Sequence, residues 1–340
     1  MTQHSRREFV IAAGLAAPAV MLASRTSART SFKVSLDTTA THVRTIQVRR
    51  YLDALKQRSG GALEAELFHS SQLFRDRDVG RALRQGGVEM AVPGTWVLTG
   101  FEPAADLVAL PSLYGQNREG IYRVADGDAG RAINRSLETK LRVKVIGKWL
   151  DLGYSHTYAT KPIEKPDDMA GLKIRTSGGH GQFLRVSFFG GVPNFTAWPD
   201  VPLALSQGTF DGLISTNESI ASAKLWESGL KFALQDYQFY GQYVPLASEA
   251  FLSRLPEAQR KLIFDVWEEM ISSFRDEANS LQDKAAETMA SNGVKVIPIS
   301  AEDRAAIRRR MLPTMDRVIA ELKIDPAIAR MIAAATSPTN

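Results

Sequence analysis

Phe32-Lys33-Val34-Ser35-Leu36-Asp37-Thr38-Thr39, followed after one intervening segment by Leu63-Glu64-Ala65-Glu66-Leu67-Phe68, sets the expected fold class. Residues 32–36 alternate apolar and polar, the pattern of a half-buried strand, and Asp37-Thr38-Thr39 reads as a polar turn. Val43, Ile46, Leu52 and Leu55 then recur at helical spacing up to a Gly60-Gly61 stop, and residues 63–68 alternate again. A strand, a helix and a second strand in this order predict an α/β fold with a largely parallel sheet flanked by helices.

Outward from that unit, one internal similarity suggests a second lobe of related build. Ala82-Leu83-Arg84-Gln85-Gly86, running on to Val92, returns as Ala204-Leu205-Ser206-Gln207-Gly208, running on to Ile214. Both read as a helix closed by glycine and followed by a strand with an acidic start. A chain of 340 residues also exceeds one comfortable core, so two domains are expected. Pro166, Asp167 and Asp168 suit a short helical turn before the strand Leu172-Lys173-Ile174-Arg175. A long helix is predicted from Pro256 to the Asn292-Gly293 stop, with Ile263, Val266, Trp267, Met270, Ile271 and Phe274 as its apolar stripe. A helix of that length would brace both lobes. Residues 300–322 and 326–335 read as further helices. Two α/β lobes joined by crossing strands leave a cleft between them, where small ligands bind. The division expected is a leader at 1–28, lobe I at 29–152 plus about 241–280, and lobe II at 153–240 plus about 281–340.

Composition narrows the class. Apolar residues make up 44% and charged residues 23%, ordinary for a globular chain, and cysteine is absent, which excludes disulfides and thiolate chemistry. The net charge of +5 includes a leader where Arg6, Arg7 and Arg25 outweigh Glu8 by 2, so the body carries 5 − 2 = 3, too thin a charge for nucleic-acid binding. Arg308-Arg309-Arg310 falls in a helical pattern and reads as a solvated face. The leader itself has paired arginines before Phe9, an apolar stretch from Val10 to Leu22 and small residues at Thr26-Ser27-Ala28. That order is a secretory signal of the twin-arginine kind, which predicts export to the periplasm.

Enzyme signatures are missing: no nucleophile elbow, phosphate loop or dinucleotide fingerprint is present, and the five histidines show no metal-ligand spacing. No cofactor or metal is therefore expected. Gly178-Gly179-His180-Gly181 suits a tight strand-to-helix turn, whose amides could also face an anion. Arg175 stands at the end of its strand just before this turn, at the sheet edge where open α/β sheets bind ligands. Its planar guanidinium could grip a carboxylate through two parallel donors. It could equally form a structural ion pair with Asp151 or Asp211; the residues alone leave both open.

Several motifs together resemble one family. Asp167-Asp168-Met169-Ala170-Gly171-Leu172-Lys173-Ile174-Arg175, Trp198-Pro199-Asp200-Val201 and Gly208-Thr209-Phe210-Asp211-Gly212 are similar to the solute-binding subunits of tripartite ATP-independent periplasmic (TRAP) transporters, the DctP type. So are Ser71-Gln72-Leu73, Gln85-Gly86 with Glu89-Met90, and Leu110-Pro111-Ser112-Leu113. The resemblance implies a two-lobed α/β periplasmic receptor with a long bracing helix that closes on a small organic acid. It further implies delivery of that acid to TRAP permease membrane subunits, without catalysis and as a monomer. By position it implies Arg175 as the carboxylate partner and Trp198 as an aromatic against the ligand. Ser215 stands in place of an asparagine, with Asn217 near, and Asp76, Gly94, Thr38, Tyr154 and Ser155 fall at or beside other pocket positions. Ser155 and His156 follow Gly153-Tyr154 where many members carry a second arginine, and Gly94 replaces a larger polar residue. Together with Phe195, these departures suggest one carboxylate on an apolar, aromatic or branched body. A sensory receptor signalling to a membrane kinase, or an exported enzyme, are the alternative roles for the same architecture.

Overall fold

The computed structural model describes residues 29–336, so the leader with Arg6, Arg7 and its cleavage region lies outside the described residues. In chain order the elements begin with β1 (Thr30–Ser35), α1 (Val43–Arg58), β2 (Leu63–Phe68), α2 (Asp76–Gln85), β3 (Met90–Ala91), α3 (Arg118–Ala125), α4 (Asp128–Leu141), β4 (Val143–Val145) and β5 (Leu150–Ala159). They continue with β6 (Lys173–Thr176), α5 (His180–Phe188), β7 (Val192–Phe195), α6 (Val201–Ser206), β8 (Gly212–Thr216), α7 (Asn217–Ser222), β9 (Phe232–Tyr243) and β10 (Leu246–Ser248). The chain then runs through α8 (Glu249–Arg254), α9 (Glu257–Ser291), β11 (Lys295–Pro298), α10 (Ala301–Met311), α11 (Met315–Leu322) and α12 (Pro326–Thr336).

Two mixed sheets carry the two lobes, in the orders β2-β1-β3-β10-β4 and β11-β9-β5-β8-β6-β7. The opening β1-α1-β2 unit is parallel from Thr30↔Leu63 to Ser35↔Phe68, and β3 joins β1 in parallel. The expectation of largely parallel sheets fails elsewhere. β10 runs antiparallel to β3 and β4, and β5 runs antiparallel to both β8 and β9. The cause is the connection between lobes: β5 enters the second sheet and β9 returns beside it, so the crossing ribbon must be antiparallel. β9 ends at Tyr243, which bridges Gly94 beside the first sheet. The repeated helix–glycine–strand units are α2-β3 and α6-β8, with Gly86 and Gly208 both in the left-handed region (φ 74° and 68°).

Helix α9 spans 35 residues, about 50 Å at the α-helical rise. Its first half buries Ile263, Val266, Trp267, Ile271 and Phe274 in a core with Phe32, Tyr51 and Phe251. Its last turns send Met289 into a separate core with Tyr158, Leu213 and Ile220. One helix thereby braces both lobes. The segment 300–322 is two helices rather than the single one its periodicity suggested, interrupted by a 3-10 turn at Leu312–Thr314. Pro313 lacks the N–H that a continuous helix would need there.

Candidate ligand-binding cleft

Arg175 lies on β6 between β7 and β8, in register with Asn194 and Leu213. It is 2% exposed, yet no carboxylate approaches it within ion-pair distance among the described residues. Asp151 is held instead by Tyr122, Tyr240 and Gln242 near Arg275, and Asp211 by Lys161 and the Lys173 amide. Arg175 donates from Nε to the Thr196 carbonyl (2.8 Å) and from Nη1 to Ser177 Oγ (3.2 Å). These two neutral acceptors orient the guanidinium without neutralising it, and burial pushes it down to about 9. A guanidinium stays charged at neutral pH even so. A buried, oriented, uncompensated cation is costly alone and becomes favourable when an anion completes it.

That guanidinium forms part of a narrow cleft lined by residues of both lobes, where small ligands of two-lobed proteins bind. Trp198 lies against it, its ring centroid 5.5 Å from the guanidinium carbon. Thr38, Asp76 and Ser215 line the same cleft, together with Trp96, Phe195 and Tyr243 as aromatic walls. Asp76, in the first turn of α2, is raised from the ordinary carboxylate range by burial, against the pull of Arg44 and the Gly94 amide. Gly94 is a wall support: a Cβ there would sit 2.3 Å from the Trp96 ring, so glycine lets that ring lie over the backbone. The remaining expected residues sit apart from the lining. Tyr154 donates its hydroxyl to the Gln116 carbonyl (2.9 Å) and packs between Tyr237 and Tyr240. Asn217 exchanges hydrogen bonds with Gln235 and accepts from the Tyr158 hydroxyl. Ser155 is buried within β5 between β8 and β9. The glycine turn before α5 does face an anion, but it is the protein's own: the Gly181 amide donates to Asp106 (2.8 Å), which burial raises to about 7.

Behind the cleft lies a polar layer that the sequence did not announce. Arg44 is fully buried on α1, paired with Asp37, donating to the Val92 carbonyl and Thr38, and stacked 4.0 Å from the Tyr243 ring. Thr38 is therefore committed to Arg44 and Thr45 as well as to the cleft. His42 Nε2 lies 3.0 Å from Ser219 Oγ and 3.1 Å from Glu218 Oε2, and Glu218 also accepts from the Val43 amide at the start of α1. Ser219 lines the cleft, which raises the question of a nucleophile. His42 Nδ1 accepts from the Arg44 amide, so the proton resides on Nε2 and points at Ser219 and Glu218. An imidazole in that tautomer cannot take the Ser219 proton, and burial lowers it to about 3. The pair is a structural contact between α1 and α7. Among the described residues no group of three or more histidines or carboxylates could hold a metal ion, and no helix is long and apolar enough to cross a membrane.

Comparison with known proteins matches this architecture. The family model of bacterial extracellular solute-binding proteins, family 7 (DctP), fits residues 35–322. The C4-dicarboxylate-binding periplasmic protein of Rhodobacter capsulatus is 26% identical over 278 residues, 79% of this chain and 80% of its own. A TRAP periplasmic solute-binding protein of Ralstonia eutropha, solved with (S)-2-acetolactate, superposes with a TM-score of 0.83 at 22% identity, covering 90% of this chain and 98% of that one. A Bordetella pertussis extracytoplasmic solute receptor that binds pyroglutamic acid gives 0.80 at 21% identity, covering 90% and 99%. With the two sheets, the bracing helix and the cleft between them, the chain belongs to the DctP family of TRAP-type extracellular solute-binding proteins.

Proposed function

We propose that this chain is the periplasmic receptor of a TRAP-type uptake system, which seats one carboxylate of a small organic acid on Arg175 and hands the acid to membrane permease subunits. The observation that carries the reading is Arg175 itself: buried, oriented by Thr196 and Ser177, and lacking any protein anion. Trp198, Phe195, Trp96 and Tyr243 surround the ligand's body with aromatic surface, which favours an apolar or branched monocarboxylate over a polyanionic one. The named ligands of the relatives, a C4-dicarboxylate, acetolactate and pyroglutamate, are all small carboxylates and support the same class.

The test is a thermal-shift panel of aliphatic, branched, aromatic and dicarboxylic acids on the mature protein, followed by calorimetry on the best. One acid should raise the melting temperature and saturate at one molecule per chain without turnover. A melting curve unmoved by every acid, or steady product formation, would count against the receptor reading. Export by the twin-arginine route and a monomeric receptor belong to the same proposal. Replacing Arg6 and Arg7 by lysine should strand the precursor in the cytoplasm.

A further inference from the structure

The mouth of the cleft is crossed by two contacts that come from a single turn of helix. Arg75, the residue capping α2 on one lobe, donates from Nη1 to Asp200 Oδ2 at 2.7 Å, and Asp200 belongs to the Trp198–Asp200 turn that precedes α6 on the other lobe. Two residues on, the Arg77 guanidinium carbon stands 5.6 Å from the Phe195 ring centroid at the end of β7. Arg75, Arg77 and Phe195 line the inner cleft, and Arg77 and Phe195 also line an outer groove with His180 and Phe183. The Arg77–Phe195 contact therefore stands where the inner chamber meets the outer groove, and Arg75 reaches Asp200 from the wall of the inner chamber two residues away. Neither Arg75 nor Asp200 makes a side-chain hydrogen bond to the helix end it caps, so their side chains serve the contact between lobes and not the helices.

We infer that the first turn of α2 is a latch: Arg75–Asp200 and Arg77–Phe195 hold the lobes together across the mouth and maintain a closed population before any ligand arrives. The inference rests on the reading of this cleft as the ligand site, but it concerns the lobes' own equilibrium. Both ion-pair side chains are about half exposed (49% each), so the latch is weak and salt-sensitive and opens readily. A weak latch suits a receptor that must still release its ligand, since a ligand can shift the equilibrium only by its differential affinity.

The chain contains no cysteine, so cysteines placed at the exposed Gln85 and Gln207, at the C-terminal ends of α2 and α6, give a unique dye pair for single-molecule energy transfer. Measurements are made with no ligand added. Arg75→Asp and Asp200→Arg should each lower the closed-to-open ratio roughly 3- to 10-fold, because an attraction becomes a repulsion. The double variant carrying both should return to within about 2-fold of the parent, and Phe195→Leu alone should lower the ratio about 2-fold. Raising the salt to about 1 M should open the parent but not Arg75→Asp. A parent protein that is open throughout, single variants indistinguishable from it, or a double variant as open as its worse single would each overturn the latch. Melting curves of all variants verify that the lobes remain folded. Since no acid is present, failure of the acid panel leaves this readout intact, so the two proposals fail separately.

Discussion

Arg175 and Arg275 are both buried guanidiniums, 2% and 6% exposed, and their surroundings are opposite. Arg275, on α9, donates Nη1 and Nη2 to the two oxygens of Asp126 (2.7 and 2.9 Å), Nε to the Trp149 carbonyl, and lies 3.8 Å from Asp151. Burial lowers it, but the Asp126 hydrogen bonds and the two carboxylate charges outweigh burial and hold it above the ordinary arginine value. Arg175 has only a carbonyl and a hydroxyl, so burial stands unopposed. The difference separates a cation whose counter-charge is built into the fold from one whose counter-charge must come from outside. Arg185 is equally buried and, among the described residues, also lacks a paired carboxylate. Its Nη groups are taken up by the Gln238, Ala109 and Leu110 carbonyls away from the cleft, whereas Arg175 lines the cleft, where an anion can reach it.

The largest expected effect breaks the first half of that comparison. Arg275→Ala leaves Asp126 and the buried Asp151 without their cation, and should destabilise the protein by about 3–5 kcal/mol in denaturant unfolding. Arg175→Ala strands no carboxylate. Unliganded stability should therefore hold or rise, while affinity for the cognate acid falls by about 2–4 kcal/mol in calorimetry. Equal destabilisation by the two variants would erase the distinction.

A smaller effect sharpens it through pH. Glu218 is a buried carboxyl that burial raises to about 7, despite the Val43 amide and the Arg44 charge. Its folded value lies above its unfolded one, so its contribution to stability is full below pH 4.5 and is lost as pH rises through 7. His42 works in the opposite sense, its lowered value withdrawing stability as pH falls below 6.5. Between pH 4.5 and 6.5 the two slopes oppose each other in the parent. Glu218→Gln removes one of them: the parent's advantage over this variant should shrink by on the order of 2 kcal/mol between pH 5 and 8. A pH-independent difference would mean that Glu218 is ionised throughout.

How much of this was legible in the sequence depended on whether the signal was local. The β1-α1-β2 unit, the α9 stripe and the glycine stops at Gly86 and Gly208 each carry their periodicity or turn within a dozen residues. β5 and β9 are less readable, since both are buried almost throughout and bulges at Asp151/Gly153 and Ser155/Thr157 interrupt their pairing. Those irregularities break a strict two-residue count through Tyr154 and Ser155, where position alone had suggested cleft contacts. Gly153 takes φ 112° at the first bulge, where a Cβ would stand 2.8 Å from Gln282 of α9. Arg175, Trp198, Ser215, Asp76 and Thr38 reach the cleft because strand ends and helix starts converge there. The His42 contact with Ser219 joins residues 177 apart in the chain, and nothing at either end marks the other.

The smallest effect concerns what orients Arg175 before an anion arrives. Trp198 offers its ring face to the guanidinium at 5.5 Å, a contact worth roughly 0.5–2 kcal/mol when desolvated. Trp198→Leu keeps an apolar wall but removes that face, leaving Thr196 and Ser177 to orient the charge alone. If the ring acts on the cation, the loss of affinity should be about 1 kcal/mol for every acid, aromatic or aliphatic, and should vanish in an Arg175→Ala background. If it acts on the ligand's body instead, the loss should follow the ligand's apolar surface and persist without Arg175. The double-mutant cycle thus decides whether Trp198 belongs to the unpaired cation or to the molecule that pairs with it.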